Sequence, residues 1–261
     1  MLLVKSVAAA VLMGNTVVAK VSEQTPLTSL RFAELSKAAG FPAGVINIVP
    51  GIGDIAGEAL SKHPDVKLIS FAGSTEVGRR IIVNSALSIK RLQLELGGKA
   101  PAIVCADANI DLAANVVSDG IFHNNGQSCI ALSRVYVHEN VYEKFLEKVV
   151  ANAAQLRVGD PSSATTNQGA ITTKSQFEKI IKYIAQAQTQ GATLFAGGKR
   201  VGSVGWFIEP TIFTDVPDDM SLAQDEVHPV SLASSNIIIV QHHTDLICTG
   251  IRTRSVSLQV F

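Results

Sequence analysis

Cys129 follows a stretch that breaks a predicted helix, and its side chain has the chemistry of a nucleophile. Asn124, Asn125 and Gly126 end that helix, and a glycine turn of this kind exposes the side chains that follow it. A thiolate held there attacks carbonyl carbons readily. The alternative is a buried structural cysteine, which Cys105 at the end of an apolar strand fits better.

Glu95 stands at the end of an apolar strand, immediately before two glycines and Lys99. A carboxylate there is expected to be partly desolvated, which raises its pKa toward the range useful for a general base. The alternative is an edge glutamate that pairs with Lys99. The residues alone leave both interpretations open.

Two glycine-containing loops, residues 50–57 and 71–78, each connect a predicted strand to a predicted helix. Glycine lets the backbone approach a ligand closely, and a helix N-terminus offers free N–H groups to a phosphate. Either loop alone is a weak indication, because such glycines often serve only the turn. Two in succession favour nucleotide binding.

Lys20 and Glu23 come directly after the first predicted strand. Their spacing alone is typical of a solvated ion pair at a strand end. At the carboxyl edge of a parallel sheet, however, the same pair is able to hydrogen-bond ribose hydroxyls.

The elements that position these residues alternate along the chain. Strands are predicted near residues 17–19, 45–49, 67–71, 92–94, 102–105 and 135–137, with helices between them. The pattern predicts helix N-caps at Thr25, Ser74 and Asn109, and a capping box of Ser175 with Glu178. Further strands are predicted at 193–195, 207–212 and 236–240. This alternation predicts a parallel sheet with helices on its faces.

Composition excludes several classes of protein. The chain has 261 residues, of which 47% are hydrophobic and 17% charged, and its net charge is zero. Such a chain is not disordered, and it lacks the basic surface that nucleic acid or an anionic membrane requires. The three cysteines are too few and scattered for a disulfide framework, which predicts a reducing compartment, the cytoplasm.

The apolar N-terminus, residues 1–13, has two interpretations. It resembles the core of a secretory signal, but it is shorter than the ~20 residues that span a bilayer. We favour a core helix that leads into the first strand.

Taken together, these segments resemble the NAD(P)-dependent aldehyde dehydrogenase superfamily. Residues 94–99 (LELGGK) resemble its glutamate signature and residues 122–129 (FHNNGQSC) its cysteine signature. Three further segments resemble the cofactor-binding segments of the family: residues 14–20 (GNTVVAK), 22–26 (SEQTP) and 71–78 (FAGSTEVG). The order of the segments also matches, from about Gly14 to Val230.

The resemblance implies a function and a role for each candidate residue. The function is oxidation of an aldehyde to a carboxylic acid with NAD as cofactor, and NADP is the alternative cofactor. Cys129 would attack the aldehyde, and Glu95 would activate the water that hydrolyses the resulting thioester. Lys20 and Glu23 would hold the adenosine ribose. The remaining cofactor-binding residues implied are Gly53, Gly73, Ser74 and Glu226. No metal site is expected.

The resemblance also implies an α/β fold in two incomplete parts. Residues 1–97 correspond to a Rossmann-like parallel-sheet domain that binds the dinucleotide, and 98–230 to an α/β catalytic domain. Residues 231–261 form a divergent tail with no counterpart in the family. The family's Trp-Asn-[Phe/Tyr]-Pro segment, whose asparagine helps hold the oxyanion, is absent, and Trp206 is the only tryptophan.

These departures predict a fragment with poor activity or none. Complete family members are homo-oligomers, which is not expected to carry over to this chain. The alternative function is a non-catalytic remnant that binds nucleotide or a related subunit. Acyl transfer to coenzyme A is a third possibility, against which the retained Glu95 argues because that residue serves hydrolysis.

Overall fold

The computed structural model describes residues 2–224, 237–243 and 259–260. The chain divides into two compact units, Met1–Leu96 and Gly97–Phe261. The mixed α/β class with parallel sheets predicted from the sequence is confirmed.

The first unit contains two separate pairs of parallel strands. Its elements are α1 (Leu2–Leu12), β1 (Val17–Val21), α2 (Leu27–Ala38), β2 (Ile46–Pro50), a π-helical turn (Gly53–Gly57), α3 (Glu58–Lys62), β3 (Leu68–Ala72), α4 (Thr75–Ala86) and β4 (Arg91–Glu95). Strand β1 pairs with β2, and β3 pairs with β4. The predicted N-terminal helix is confirmed as α1, although Val7 is its only buried residue.

The second unit is built on a six-stranded sheet. Its first elements are β5 (Pro101–Val104), α5 (Ile110–Phe122), a 3₁₀ turn (His123–Gly126), β6 (Arg134–His138), a second 3₁₀ turn (Glu139–Val141), α6 (Tyr142–Ala154) and α7 (Lys174–Thr189). The remaining elements are β7 (Thr193–Ala196), β8 (Arg200–Val201), β9 (Phe207–Ile208), β10 (Thr211–Thr214), α8 (Ser221–Gln224), β11 (Ile237–His243) and β12 (Gln259–Val260). The order is β12-β5-β6-β11-β10-β7, with only β7 antiparallel to its neighbour, and β8 and β9 form a separate hairpin.

The core of the second unit lies on both faces of this sheet. On one face, Ile212, Ile238 and Val240 pack with α5 and α6. On the other, Phe213 and Ile239 pack with α7 and α8. Consecutive strand residues thus enter opposite cores, which is why these strands are unbroken apolar runs rather than alternating ones.

Several sequence predictions of element ends differ from the structure. Thr25 does not cap α2, whose N-cap is Pro26 without a side-chain hydrogen bond. The capping box predicted at Ser175 is also wrong, because α7 begins earlier and Thr173 caps it. Ser74 and Asn109 are confirmed as caps of α4 and α5, each accepting a hydrogen bond from a backbone N–H three residues ahead.

The strand predicted at residues 236–240, after residue 230, is confirmed as β11. Strand β11 lies between β6 and β10 and pairs in parallel with both. Ile237 to Val240 are buried, apolar and β-branched, which suits a central strand. Residues 225–236, 244–258 and 261 lie outside the described part of the chain.

Candidate active site

The Cys129 thiol lies on the loop between α5 and β6 of the second unit. It is half-buried, and it is the free cysteine among the described residues. It occupies the second position of a turn closed by the Ala131 N–H, which donates to the Ser128 carbonyl at 3.1 Å. Within the described residues the backbone N–H of Cys129 itself donates no hydrogen bond. Thiol and free N–H therefore come from the same residue.

The turn before Cys129 has an uncommon backbone. Asn124, Asn125 and Gly126 are all in the left-handed region, with φ of 53°, 57° and 64°. Asparagine and glycine are the residues that adopt this region most readily, so the sequence NNG is suited to it. The helix break predicted at these three residues is confirmed.

Space for a side chain is limited at a second point near the thiol. A Cβ on Gly98 would stand 3.1 Å from the Cys129 carbonyl oxygen, closer than most real contacts. The backbone of residue 98 thus lies close to the carbonyl of Cys129. This contact joins the glycine that follows the Glu95 segment to the loop that carries Cys129.

Glu95 ends β4 in the first unit, and its side chain is exposed. The prediction that the Glu95 carboxylate is partly desolvated is therefore wrong within this unit. The reason is the alternation of β4, whose odd-numbered residues all face solvent. Its backbone is held, since the Gly73 N–H donates to the Glu95 carbonyl at 3.1 Å.

Lys20 and Glu23 form an ion pair at the carboxyl end of β1. Lys20 Nζ donates to Glu23 Oε2 at 3.1 Å, with side-chain exposures of 18% and 43%. A hydrogen bond from a backbone N–H, together with the Lys20 ammonium, lowers the pKa of the Glu23 carboxyl. The pair predicted from the spacing is present, and it presents one donor and one acceptor side by side.

Gly53, Gly73 and Ser74 lie where strands of the first unit lead into helices. Gly53 starts the π-helical turn after β2, and open space surrounds the position of a Cβ there. A Cβ on Gly73 would stand 2.4 Å from the Phe71 ring. Ser74 is buried, and its Oγ accepts from the Val77 N–H at 3.3 Å. The structure thus gives Ser74 a definite structural role as the cap of α4.

Two further predicted residues have different outcomes. Glu226 lies outside the described residues. Cys105 is buried, as expected, but it is disulfide-bonded rather than a simple buried thiol. The prediction that the cysteines are unpaired is therefore wrong for Cys105, because pairing depends on tertiary proximity that spacing does not reveal.

A cavity of about 600 Å³ opens in the second unit at the carboxyl ends of β6, β10 and β11. It is lined by Tyr142, Glu143, Asp215, Val216, Pro217, Asp218, Gln241 and His242. Among the described residues, none of those predicted to be functional lines this cavity. Burial, helped by the carboxylates of Asp215 and Glu143, raises the pKa of Tyr142 to about 12.

Sequence reasoning missed one set of residues that contacts the cysteine loop. The segment 169–172 lies between α6 and α7. It accepts a hydrogen bond from the Asn125 side chain and donates one, from the Thr172 N–H, to Gln127 Oε1. No local pattern indicates it, because the contacts join residues 44 and 45 positions apart.

In the described ranges, no group of three or more His, Cys, Asp or Glu side chains could hold a metal ion. No helix within those ranges is long and apolar enough to cross a membrane.

The chain is similar in sequence to proteins of one known family. A model described as "Aldehyde dehydrogenase family" matches residues 1–232. Aldehyde dehydrogenase family 2 member C4 of Arabidopsis thaliana is 50% identical over 222 residues, which are 85% of this chain and 44% of that protein. Retinaldehyde dehydrogenase 3 of Mus musculus is 48% identical over 228 residues, 87% of this chain and 44% of that protein.

The fold is also similar to that of a solved structure from the same family. The NAD⁺ complex of an aldehyde dehydrogenase from Bacillus cereus matches with a TM-score of 0.84 at 41% identity. The match covers 88% of this chain and 46% of the other. The chain thus spans less than half the length of the relatives it matches.

Proposed function

The chain belongs to the aldehyde dehydrogenase family, and from this membership we propose that it oxidises an aldehyde to a carboxylic acid with NAD(P). The observation that carries the proposal is the Cys129 loop, where a free, half-buried thiol stands beside an unused backbone N–H. The proposal assigns the catalytic role to Cys129 and Glu95, and cofactor binding to residues of the first unit and Glu226.

Cys129 supplies the first bond of the reaction. Its sulfur attacks the carbonyl carbon of the aldehyde, and the carbonyl oxygen takes the negative charge. The free N–H of Cys129 is a suitable donor to that oxygen, since an oxyanion donor must not be engaged elsewhere. Loss of a hydride from the same carbon then leaves a thioester on Cys129.

Glu95 completes the reaction by hydrolysis. Its exposed carboxylate takes a proton from water, the hydroxide attacks the thioester carbonyl, and the Cys129 thiolate leaves as the acid is released. One aldehyde and one water thus give one carboxylic acid, with the hydride and one proton removed. Exposure of Glu95 supports this role, because the residue must reach solvent water.

The first unit has groups that fit a dinucleotide. Lys20 and Glu23 place a donor and an acceptor 3.1 Å apart, the combination that a ribose diol needs. The open space at Gly53 leaves room for close approach of a ligand to the backbone. Lys20 and Glu23 would hold the ribose of bound NAD(P), whose nicotinamide would supply the acceptor for the hydride. The similar aldehyde dehydrogenase from Bacillus cereus forms a complex with NAD⁺, which supports the same assignment.

Aldehyde-dependent formation of the reduced nicotinamide tests the proposal. The full chain is mixed with NAD and either acetaldehyde or retinaldehyde, and absorbance of the reduced cofactor is followed. Cys129→Ala should abolish turnover, whereas Cys105→Ala should retain it. Equal losses from the two variants would contradict the assignment of Cys129.

A non-catalytic nucleotide-binding protein is the second candidate function. It is favoured by the sparse core of the first unit, in which Val7, Val21 and Ile81 are the only buried apolar residues between positions 2 and 96. A weakly packed unit holds binding groups imprecisely, and small misplacements cost much of the rate. NAD binding without reduction, measured on the same protein, would support this candidate instead.

The remaining assignments follow from the same proposal. Residues 1–97 bind the dinucleotide and residues 98–230 carry the nucleophile. The substrate is a small-molecule aldehyde, with neither nucleic acid nor membrane as partner. The compartment proposed is the cytoplasm, which imaging of a tagged chain would test.

A further inference from the structure

Two buried or half-buried amides fasten the cysteine loop to a distant segment. Asn125 is 4% exposed, and its Nδ2 donates to the carbonyls of Gly169 and Ala170 at 3.0 and 3.2 Å. Gln127 Oε1 accepts from the backbone N–H and the hydroxyl of Thr172 at 2.9 and 2.8 Å. We call residues 169–172 the strap.

Gln127, together with Asn124, also stabilises the loop from within. Gln127 Nε2 donates to the Asn124 carbonyl at 3.0 Å, and Asn124 Nδ2 donates to the Gln127 carbonyl at 3.2 Å. The left-handed conformations of Asn124 and Asn125 are costly on their own. They persist because these hydrogen bonds determine them.

Cys129 is attached to this arrangement by the chain itself. It lies two residues after Gln127, and the Ser128 N–H donates to the Gly126 carbonyl at 2.8 Å. On its other side Gly98 stands against the Cys129 carbonyl. The segment between these contacts has little freedom, so the direction of the thiol depends on where Gln127 is held.

We propose that Asn125, Gln127 and the strap form a clamp that positions the Cys129 thiol. The inference rests on the proposed function only for the use of that thiol. Asn125 and Gln127 act through Cys129 and are positioning residues. Loss of the clamp lets the loop open and exposes the half-buried sulfur.

Alkylation of Cys129 by iodoacetamide tests the clamp in the full chain, without aldehyde or NAD. The rate assigned to Cys129 is the part that disappears in Cys129→Ala. Losing one hydrogen bond shifts a local opening equilibrium about fivefold. Thr172→Val, which removes one hydroxyl donor, should therefore accelerate alkylation about fivefold, and Gln127→Ala should accelerate it further.

Three controls separate positioning from general destabilisation. Thr172→Ser retains the hydroxyl and should restore the original rate. Thr189→Val removes a comparable hydroxyl donor, to the Gln186 carbonyl at the end of α7, and should leave the rate unchanged. In the double variant, Thr172→Val should add nothing to Gln127→Ala, since their shared contact is already lost.

The clamp is refuted by unchanged alkylation in Thr172→Val and Gln127→Ala, by full additivity of the two, or by equal acceleration in Thr189→Val. The assay is independent of turnover. A chain that shows the coupled alkylation rates but reduces no NAD would refute the proposed function and retain the clamp.

Discussion

At the scale of single residues, Cys129 and Cys105 show how two residues of the same type come to have different roles. Cys129 is a half-buried free thiol on a loop of left-handed residues, whereas Cys105 is buried directly after β5 and disulfide-bonded. Only the first is accessible to an aldehyde. The difference arises from the backbone around each residue, because exposure and pairing decide whether a thiol reacts.

Glu23 is expected to select NAD over NADP. Its carboxylate, whose pKa is lowered by a backbone N–H and Lys20, remains ionised at neutral pH and repels a 2′-phosphate. Like charges ~4 Å apart repel by up to about 4 kcal/mol, which the exposure of Glu23 reduces to a preference of roughly tenfold. Isothermal titration of both cofactors should show this preference.

The preference should disappear in Glu23→Gln, which removes the charge but keeps the shape of the side chain. Glu34→Gln is the matched control, since Glu34 is an exposed glutamate elsewhere in the same unit, paired with Arg31. Tighter binding of NADP than NAD by the unaltered chain would overturn the assignment of Glu23.

The raised pKa of Tyr142 predicts that the folded chain loses stability in alkaline solution. Burial, with Asp215 and Glu143 adding to it, raises its pKa from the ordinary value of about 10 to about 12. Between these values the unfolded chain has lost the phenolic proton while the folded chain keeps it. The free energy of unfolding should therefore decrease as pH rises from about 10 to about 12, and it should then level off.

Urea unfolding of the full chain at about pH 9 and about pH 11.5 measures this decline, and Tyr142→Phe should show a smaller one. Absorbance of the phenolate provides the second measurement, since the Phe variant should lack the component that titrates near pH 12. Identical declines in both proteins would mean that Tyr142 does not carry the effect.

At the scale of elements, helix caps decide where segments begin. The sequence predicts Ser175 as the start of α7, but Thr173 accepts from the Gln176 N–H at 3.2 Å and caps it. Both residues are hydroxyl-bearing and two positions apart. Local sequence does not separate them, because either one is able to begin the same amphipathic helix.

Thr173→Ala should therefore destabilise the second unit by about 1 kcal/mol, the usual cost of a lost cap. Ser175→Ala should change the free energy of unfolding by less than about 0.5 kcal/mol, as expected for an exposed residue that does not cap the helix. Denaturant unfolding of the two variants gives the comparison. A larger loss in Ser175→Ala would show that the cap lies where the sequence placed it.

Proline divides one predicted strand into two. The apolar run 207–212 predicts a single strand, whereas the structure has β9 at Phe207–Ile208 and β10 at Thr211–Thr214. Pro210 lies between them and has no N–H to donate to a neighbouring strand. The Pro210 carbonyl also lies 1.9 Å from the position of a Cβ on Gly197, so residue 197 must be glycine.

At the scale of the whole molecule, the two units differ in how much apolar surface they bury. The first unit has three buried apolar residues, and each of its strands pairs with one neighbour only. The second unit has two cores, on opposite faces of its sheet. Since apolar burial is the main source of stability, the units should differ in local stability.

Amide hydrogen exchange is expected to reveal this difference. Amides of β1 to β4 should have opening free energies at least about 2 kcal/mol below those of β6, β10 and β11. Mass spectrometry of peptides from the two units gives the measurement, with NAD present and absent. Equal protection in the two units would contradict the argument from burial.

Much of the fold and of the candidate site is determined by the sequence alone. The order of strands and helices, the caps at Ser74 and Asn109, and the turn before Cys129 all follow from local patterns. These features depend on neighbouring residues, whose propensities and hydrogen bonds act over a few positions. The family is likewise indicated by short segments, of which the cysteine and glutamate signatures are the most specific.

Only the tertiary structure decided the rest. It placed β11 in the middle of the sheet, exposed Glu95, paired Cys105 and brought the strap to the cysteine loop. Each of these depends on contacts between residues far apart in the chain. Such contacts form when folding repays the entropy of closing long loops with buried area and hydrogen bonds, which no local pattern records.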